Sequence, residues 1–170
     1  EQNGRYDAEG VVDVGATPIT AAFQVGPSAN SLEACVRIAA SVALARDGAV
    51  ILHASAVTHA GRALVFTGVS GAGKLLVLRP TDAGVALEVP PYLGPAGVPH
   101  GAAAPLAGIH FLVQAPFDRR EPVPPGEALR ELSGHVLVYV AEPATAERVL
   151  AVVAAITAST PCYRLHFRKD

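Results

Sequence analysis

The run Gly68-Val69-Ser70-Gly71-Ala72-Gly73-Lys74 meets Pro80 only six residues after its lysine, and this spacing constrains the fold more than any other stretch. A glycine-rich loop of the GxxxxGK form presents successive backbone N–H groups to an anion. Glycine removes the side chains that would hold a phosphate away and tolerates positive φ. A helix normally opens at the lysine and adds its positive N-terminal end. Here Leu75-Leu76-Val77-Leu78-Arg79 is stopped by Pro80, and five residues are too few for an ordinary helix. The run reads as a strand, with Thr81-Asp82-Ala83-Gly84 as a turn and Val85 to Val89 as its hairpin partner. The residue after Lys74 is Leu75, where a Ser or Thr hydroxyl would ordinarily hold Mg²⁺.

Lysine is scarce, with two residues against eleven arginines, so Lys74 is not a by-product of a lysine-rich composition. The context upstream suits a phosphate loop. Ala49 to Val57 and Arg62 to Thr67 are two apolar, β-rich runs joined by Thr58-His59-Ala60-Gly61, a hairpin turn, and the second run leads straight into the glycines. Val69 to Gly73 would wrap the phosphates and Lys74 would reach the β and γ positions. The bland alternative is a glycine-rich hairpin connection.

A length of 170 residues suits one domain, here 1–170, with an ordinary core. The net charge of −2 and pI near 6.3 carry neither a nucleic-acid footprint nor a basic membrane patch. Apolar runs break well short of a membrane span, and Glu1-Gln2-Asn3-Gly4-Arg5 lacks a signal-peptide pattern. The expectation is a soluble, cytoplasmic protein of undefined oligomeric state. Cys35 and Cys162 stand alone, without metal or CxxC spacing, and read as buried core residues.

Elsewhere Ile19 to Val25 reads as a strand, within a region 1–30 assigned to N-terminal strands. Asn30 with Glu33 suggests a capping box, and Leu32, Cys35, Val36, Ala39, Ala40 and Ala43 keep helical spacing as far as Asp47-Gly48. Pro90 to Pro105 and Pro116 to Gly126 read as loops. Ile109 to Val113 and Val136 to Val140 read as strands, and Glu127 to Leu132 and Ala144 to Ala158 as helices. In a final strand Tyr163, Leu165 and Phe167 share one face, and Arg164, His166 and Arg168 share the other, taken as the solvent face of an edge strand.

Leu52-His53-Ala54-Ser55-Ala56-Val57, the hairpin, and Gly68 to Lys74 together resemble the catalytic domain of bacterial HPr kinase/phosphorylase and its shorter relatives, the HPr-kinase-like serine kinases. Leu78-Arg79-Pro80, Ala104-Pro105-Leu106, Phe111-Leu112-Val113-Gln114 and Tyr163 to Arg168 resemble further stretches, so the likeness runs from about Leu32 to the C-terminus. It implies an α/β domain of the phosphoenolpyruvate-carboxykinase type, a mixed and largely antiparallel sheet with flanking helices. It also implies ATP with Mg²⁺ as cofactors, a serine on a small protein or peptide as acceptor, and His53 near the transferred phosphate. The alternative for His53 is a histidine satisfied within a strand.

The departure from that family lies after Lys74. In the family the lysine is followed by Ser or Thr, a helix and a strand ending in an acidic pair, about twenty residues by typical element lengths. Without them the magnesium hydroxyl and the proton acceptor are missing, and general-base help of roughly 10²- to 10⁴-fold goes with them. Either the chain is a degenerate relative that acts as a non-catalytic binding module, or a longer form carries the block between Lys74 and Leu75 and is a serine kinase.

The remaining polar groups carry less. Asp118, Arg119, Arg120 and Glu121 read as a solvated charge run. His59, His100, His110 and His135 have no HxxxH, HExxH or carboxylate spacing, so no metal beyond nucleotide-bound Mg²⁺ is indicated. Ser55 and Ser70 lie near the loop, but no GxSxG elbow makes either a hydrolase nucleophile.

Overall fold

Strand pairing closes the chain on itself. In the computed structural model, which describes residues 8–26, 29–68, 74–90, 102–139 and 142–169, the order is β1 (Ala8–Asp13), β2 (Thr20–Val25), α1 (Ala29–Arg46), β3 (Val50–His59), β4 (Arg62–Gly68), β5 (Lys74–Thr81), β6 (Gly84–Glu88), β7 (Ala103–Gln114), β8 (Arg119–Val123), α2 (Pro125–Ser133), α3 (Pro143–Ser159) and β9 (Cys162–Phe167). The main sheet runs β4-β3-β5-β6-β7-β9-β8, and an added β4–β7 pairing joins β3 to β7 into a five-stranded barrel. Most pairings are antiparallel, while β4–β7 and β7–β9 are parallel. The expected mixed, largely antiparallel α/β architecture is present.

Alternation explains the core. Val50, Leu52 and Ala54 of β3, Ala63 and Val65 of β4, Leu76 and Leu78 of β5, and Ile109 and Phe111 of β7 join one buried cluster with Ala128 and Leu132 of α2 and Val149, Val152, Val153 and Ile156 of α3. The α3 set follows helical spacing. Glu142 caps that helix by accepting from the Thr145 N–H at 2.9 Å, and Pro143 occupies its first turn. Ala49, Ile51, Leu75 and Val77 form a smaller cluster against Ala40, Leu44 and Leu137. The β1–β2 hairpin is tied to α1 by Arg46, which donates to the Ala16 carbonyl and to Thr17 Oγ1.

The hairpin between β3 and β4 turns on Ala60 (φ 50°) and Gly61 (φ 74°), the left-handed pair that a two-residue turn requires. Helix α1 opens at Ala29, so Asn30 lies inside it, and Glu33 instead pairs with Arg37 one turn on. Both cysteines are buried, and burial pushes the Cys162 thiol up to about 11, which keeps it protonated and inert.

Four expectations need correction. Pro116 to Gly126 is not all loop, because Arg119–Val123 forms β8 and Pro125 opens α2. The last strand is not an edge: β9 lies between β7 and β8, and Arg164 is held by Glu127 (2.8 Å) and Glu131 (2.6 Å) on α2. Val136 to Val140 is not a strand, since only Val136 bridges to Leu52; residue 140 lies outside the described residues. The loop expected to end at Pro105 gives way to β7 already at Ala103, with residues 91–101 outside the description.

Across the face of β4, β7 and β9 opposite the core, Phe66, His110 and Tyr163 stack with centroids 5.0 and 5.3 Å apart, and Arg120 lies 4.5 Å over the Tyr163 ring. His110 is 5 % exposed. Burial, then the Arg120 charge, hold it below its ordinary 6.5, against the opposing pull of a hydrogen bond to the Val65 backbone. A histidine that binds its proton more weakly when folded gives its full stability above pH 6.5 and loses it as pH falls below that value. Denaturant midpoints at pH 7.5 and 5.5 are expected to fall more for the wild type than for His110→Gln; equal slopes would refute this.

Candidate functional site at the root of the glycine loop

β4 delivers its last residues to the barrel end from which the glycine loop departs. Thr67 is fully buried and its hydroxyl donates to the His53 carbonyl at 3.1 Å. Gly68 faces Leu112 across the parallel ladder. A Cβ at Gly68 would sit 2.9 Å from the Leu112 Cβ and 3.1 Å from its carbonyl oxygen, so this glycine has a packing requirement of its own. Residues Val69, Ser70, Gly71, Ala72 and Gly73 lie outside the described residues.

The chain returns at Lys74 as the first residue of β5. Lys74 pairs with Ala54, and Leu75 with His53. The register therefore brings the backbones of His53 and Lys74 together, with Gly68 ending the strand on the other side of β3. Both β4 and β5 are antiparallel to β3 and hence parallel to each other. Crossing β3 spans about 10 Å, within reach of a five-residue link. Parallel connections ordinarily use a dozen or more residues and a helix, and the link from Gly68 to Lys74 has no length for one. Lys74 opens a strand, as the Pro80 spacing predicts.

Magnesium does not fit the residues after the loop. Leu75 is apolar and 4 % exposed, packed with Ala49, Ile51 and Val77. Among the described residues no group of three or more His, Cys, Asp or Glu is placed to hold a metal ion.

The structure adds groups that sequence reasoning missed. β4 pairs with Ser55 to His59 of β3, which leaves the Ile51 to His53 edge to the segment after α2. The His53 N–H donates to the His135 carbonyl (3.2 Å), and the Leu137 N–H to the Ile51 carbonyl (2.9 Å). The His135 ring stacks 6.3 Å from Phe111, the residue opposite Thr67. Burial holds His135 below its ordinary 6.5; Glu131 draws it up and His53 pushes it further down. Glu131 is in turn bound by Arg164. No local motif announces this cluster, because its members come from β3, α2, β9 and a turn.

The other candidates disperse. Asp118 binds Arg168 through its backbone N–H (2.9 Å) and guanidinium (3.0 Å), and these bonds hold its carboxyl below the usual range. Arg119 pairs with Glu121. The parallel strands β4, β7 and β9 end on one side, and an open cleft of about 700 Å³ lined by Gln114, Ala115, Pro116, Arg168 and Lys169 begins two residues beyond Leu112, the partner of Gly68. No helix among the described residues is long and apolar enough to cross a membrane. A scan of family models finds no match to this chain, and a search of curated proteins finds none.

Proposed function

We propose that this protein binds ATP through Gly68 to Lys74 and belongs to the HPr-kinase-like serine kinases, phosphorylating a small protein or peptide in a form that carries the acidic block after Lys74. The observation that carries the reading is a GxxxxGK loop leaving the carboxyl end of a strand in a parallel trio, with His53 beside the returning lysine. The cleft along the same edge suits an acceptor polypeptide.

The link across β3, only five residues long and too short for an ordinary helix, favours a second reading, in which the 170-residue chain is a pseudokinase that holds a phosphate pocket and acts by binding a partner. Its Leu75 offers no magnesium hydroxyl. Intact mass separates the readings: a value near 17.4 kDa supports the binding module, and a value about two kilodaltons higher, some twenty residues, supports the kinase.

Calorimetric titration with ATP tests the site itself. Lys74→Ala removes the cation from the phosphate region and is expected to weaken binding tenfold or more, a loss of about 1.4 kcal/mol. Wild type binding ATP no better than the variant ends the nucleotide reading.

A further inference from the structure

We propose that the β1–β2 hairpin joins its counterpart in a second copy of this chain. β2 pairs antiparallel with β2 of that copy about a twofold axis, giving a sheet of order β1-β2-β2-β1 shared by two molecules.

The hairpin is a preformed platform with open edges. Among the described residues β1 and β2 pair only with each other, apart from the main sheet. Helix α1 packs against both strands, and Arg46 near its end holds the connecting turn through the Ala16 carbonyl and Thr17 Oγ1, so little order has to be gained on association. Val12, Phe23 and Val25 are half-buried and the other residues of the two strands are exposed. The Phe23 ring lies over Gly10, where an added Cβ would strike it, so it covers β1 and leaves the outer side of β2 clear. An unpaired strand edge is a row of N–H and C=O groups ready to bond another strand.

The two edges differ in what they accept. β1 carries Glu9 and Asp13, and its self-pairing about Val11 would set these carboxylates opposite each other, which is destabilising. β2 reads Thr20-Ala21-Ala22-Phe23-Gln24-Val25, without the charge, proline or bulge that blunts an edge. Its pattern matches itself. Side chains alternate with a period of two, so antiparallel pairing about a twofold sets Ala21, Phe23 and Val25 beside the same three residues of the other copy, and Thr20, Ala22 and Gln24 beside theirs. Registers centred on Ala22 or on Phe23 both keep this match. Each copy then supplies the backbone groups the other lacks, the self-complementary contact of a twofold dimer. The acidic β1 strands fall outermost, about 14 Å apart, beyond the screening length of about 8 Å in physiological salt. They also end the shared sheet, which closes the assembly at two copies. Leu32 and Val36, exposed one turn apart in the helix that follows β2, add apolar surface to the same segment.

Sedimentation equilibrium of the full chain tests this. A contact built on one short strand lies at the weak end of specific interfaces, so dimer is expected to dominate at about 200 μM and monomer at about 2 μM. Ala22→Lys/Gln24→Lys alters two exposed residues on one face of β2, sets lysine opposite lysine in both registers, and should raise the dissociation constant tenfold or more. Ala22→Glu/Gln24→Glu should do the same, and an equimolar mixture of the two variants should dimerise at a concentration where neither does alone. Thermal melts identify a variant that has failed to fold; hydrogen exchange of the wild type then decides, with β2 amides expected to be more protected at the higher concentration. A wild type that is monomeric at about 200 μM, a folded lysine variant that dimerises as the wild type does, folded variants that do not reassociate on mixing, or β2 exchange independent of concentration each overturns the proposal.

Discussion

Phe111→Ala is expected to lower the stability of the folded chain by about 3–5 kcal/mol. The ring is 1 % exposed, belongs to the main buried cluster, and lies between Thr67 on β4 and Arg164 on β9 in the two parallel ladders. Backbone pairing fixes both neighbours, so the cavity has little means of closing. A domain of this size is typically stable by only about 5–15 kcal/mol, so the variant should approach its unfolding threshold. Guanidinium denaturation measures the change. A loss below about 1 kcal/mol would mean that Phe111 is not packed at the junction of β4, β7 and β9.

Gly68→Val carries the second large effect, and it couples stability to function. An added Cβ meets backbone and the root of Leu112, not a flexible side-chain tip, so β4 or β7 must shift. Overpacking of this kind costs about 1–3 kcal/mol. The shift falls at the last residue before the loop, so on the proposed nucleotide reading ATP binding should drop tenfold or more while the far end of the barrel stays paired. Gly126→Ala is the control, since nothing lies within 4 Å of its added methyl and helix propensity favours the change by up to about 1 kcal/mol. Gly68→Val with wild-type stability and wild-type ATP affinity would show that the close approach to Leu112 matters to neither.

Local chemistry made some of this legible in the sequence. Pro80 forbids a helix after Lys74, and Asp82-Ala83-Gly84 turns the chain, so β5 and β6 were readable. The Ala60-Gly61 turn fixed the β3–β4 hairpin. β8 was hidden because Arg119-Arg120-Glu121-Pro122 has no strand signal of its own and is a strand only because β9 offers it partners. Val136 to Val140 misled in the opposite sense, since its apolar run finds only a few residues of β3 left open by β4. The parallel pairing of β4, β7 and β9 arises from chain topology, which local patterns do not encode.

The site divides along the same line. Gly68 and Lys74 stood out because a GxxxxGK run holds its residues at fixed spacing in one stretch, whereas His53 entered only through the resemblance of Leu52 to Val57 to the HPr-kinase-like sequences. His135, Glu131 and Arg164 did not stand out, because their association depends on distant segments converging on one end of the barrel. Their residue types carried no signal until β3 and β9 were in place.

Ring closure also bears on how this protein meets copies of itself. Among the described residues β1 and β2 form a separate two-stranded sheet, while closure of β4 onto β7 leaves the free end of the seven-stranded sheet at β8. That strand reads Arg119-Arg120-Glu121-Pro122-Val123, and a proline without an N–H together with three charged side chains makes a poor template for another chain. Growth of the seven-stranded sheet by strand addition at β8 is therefore disfavoured.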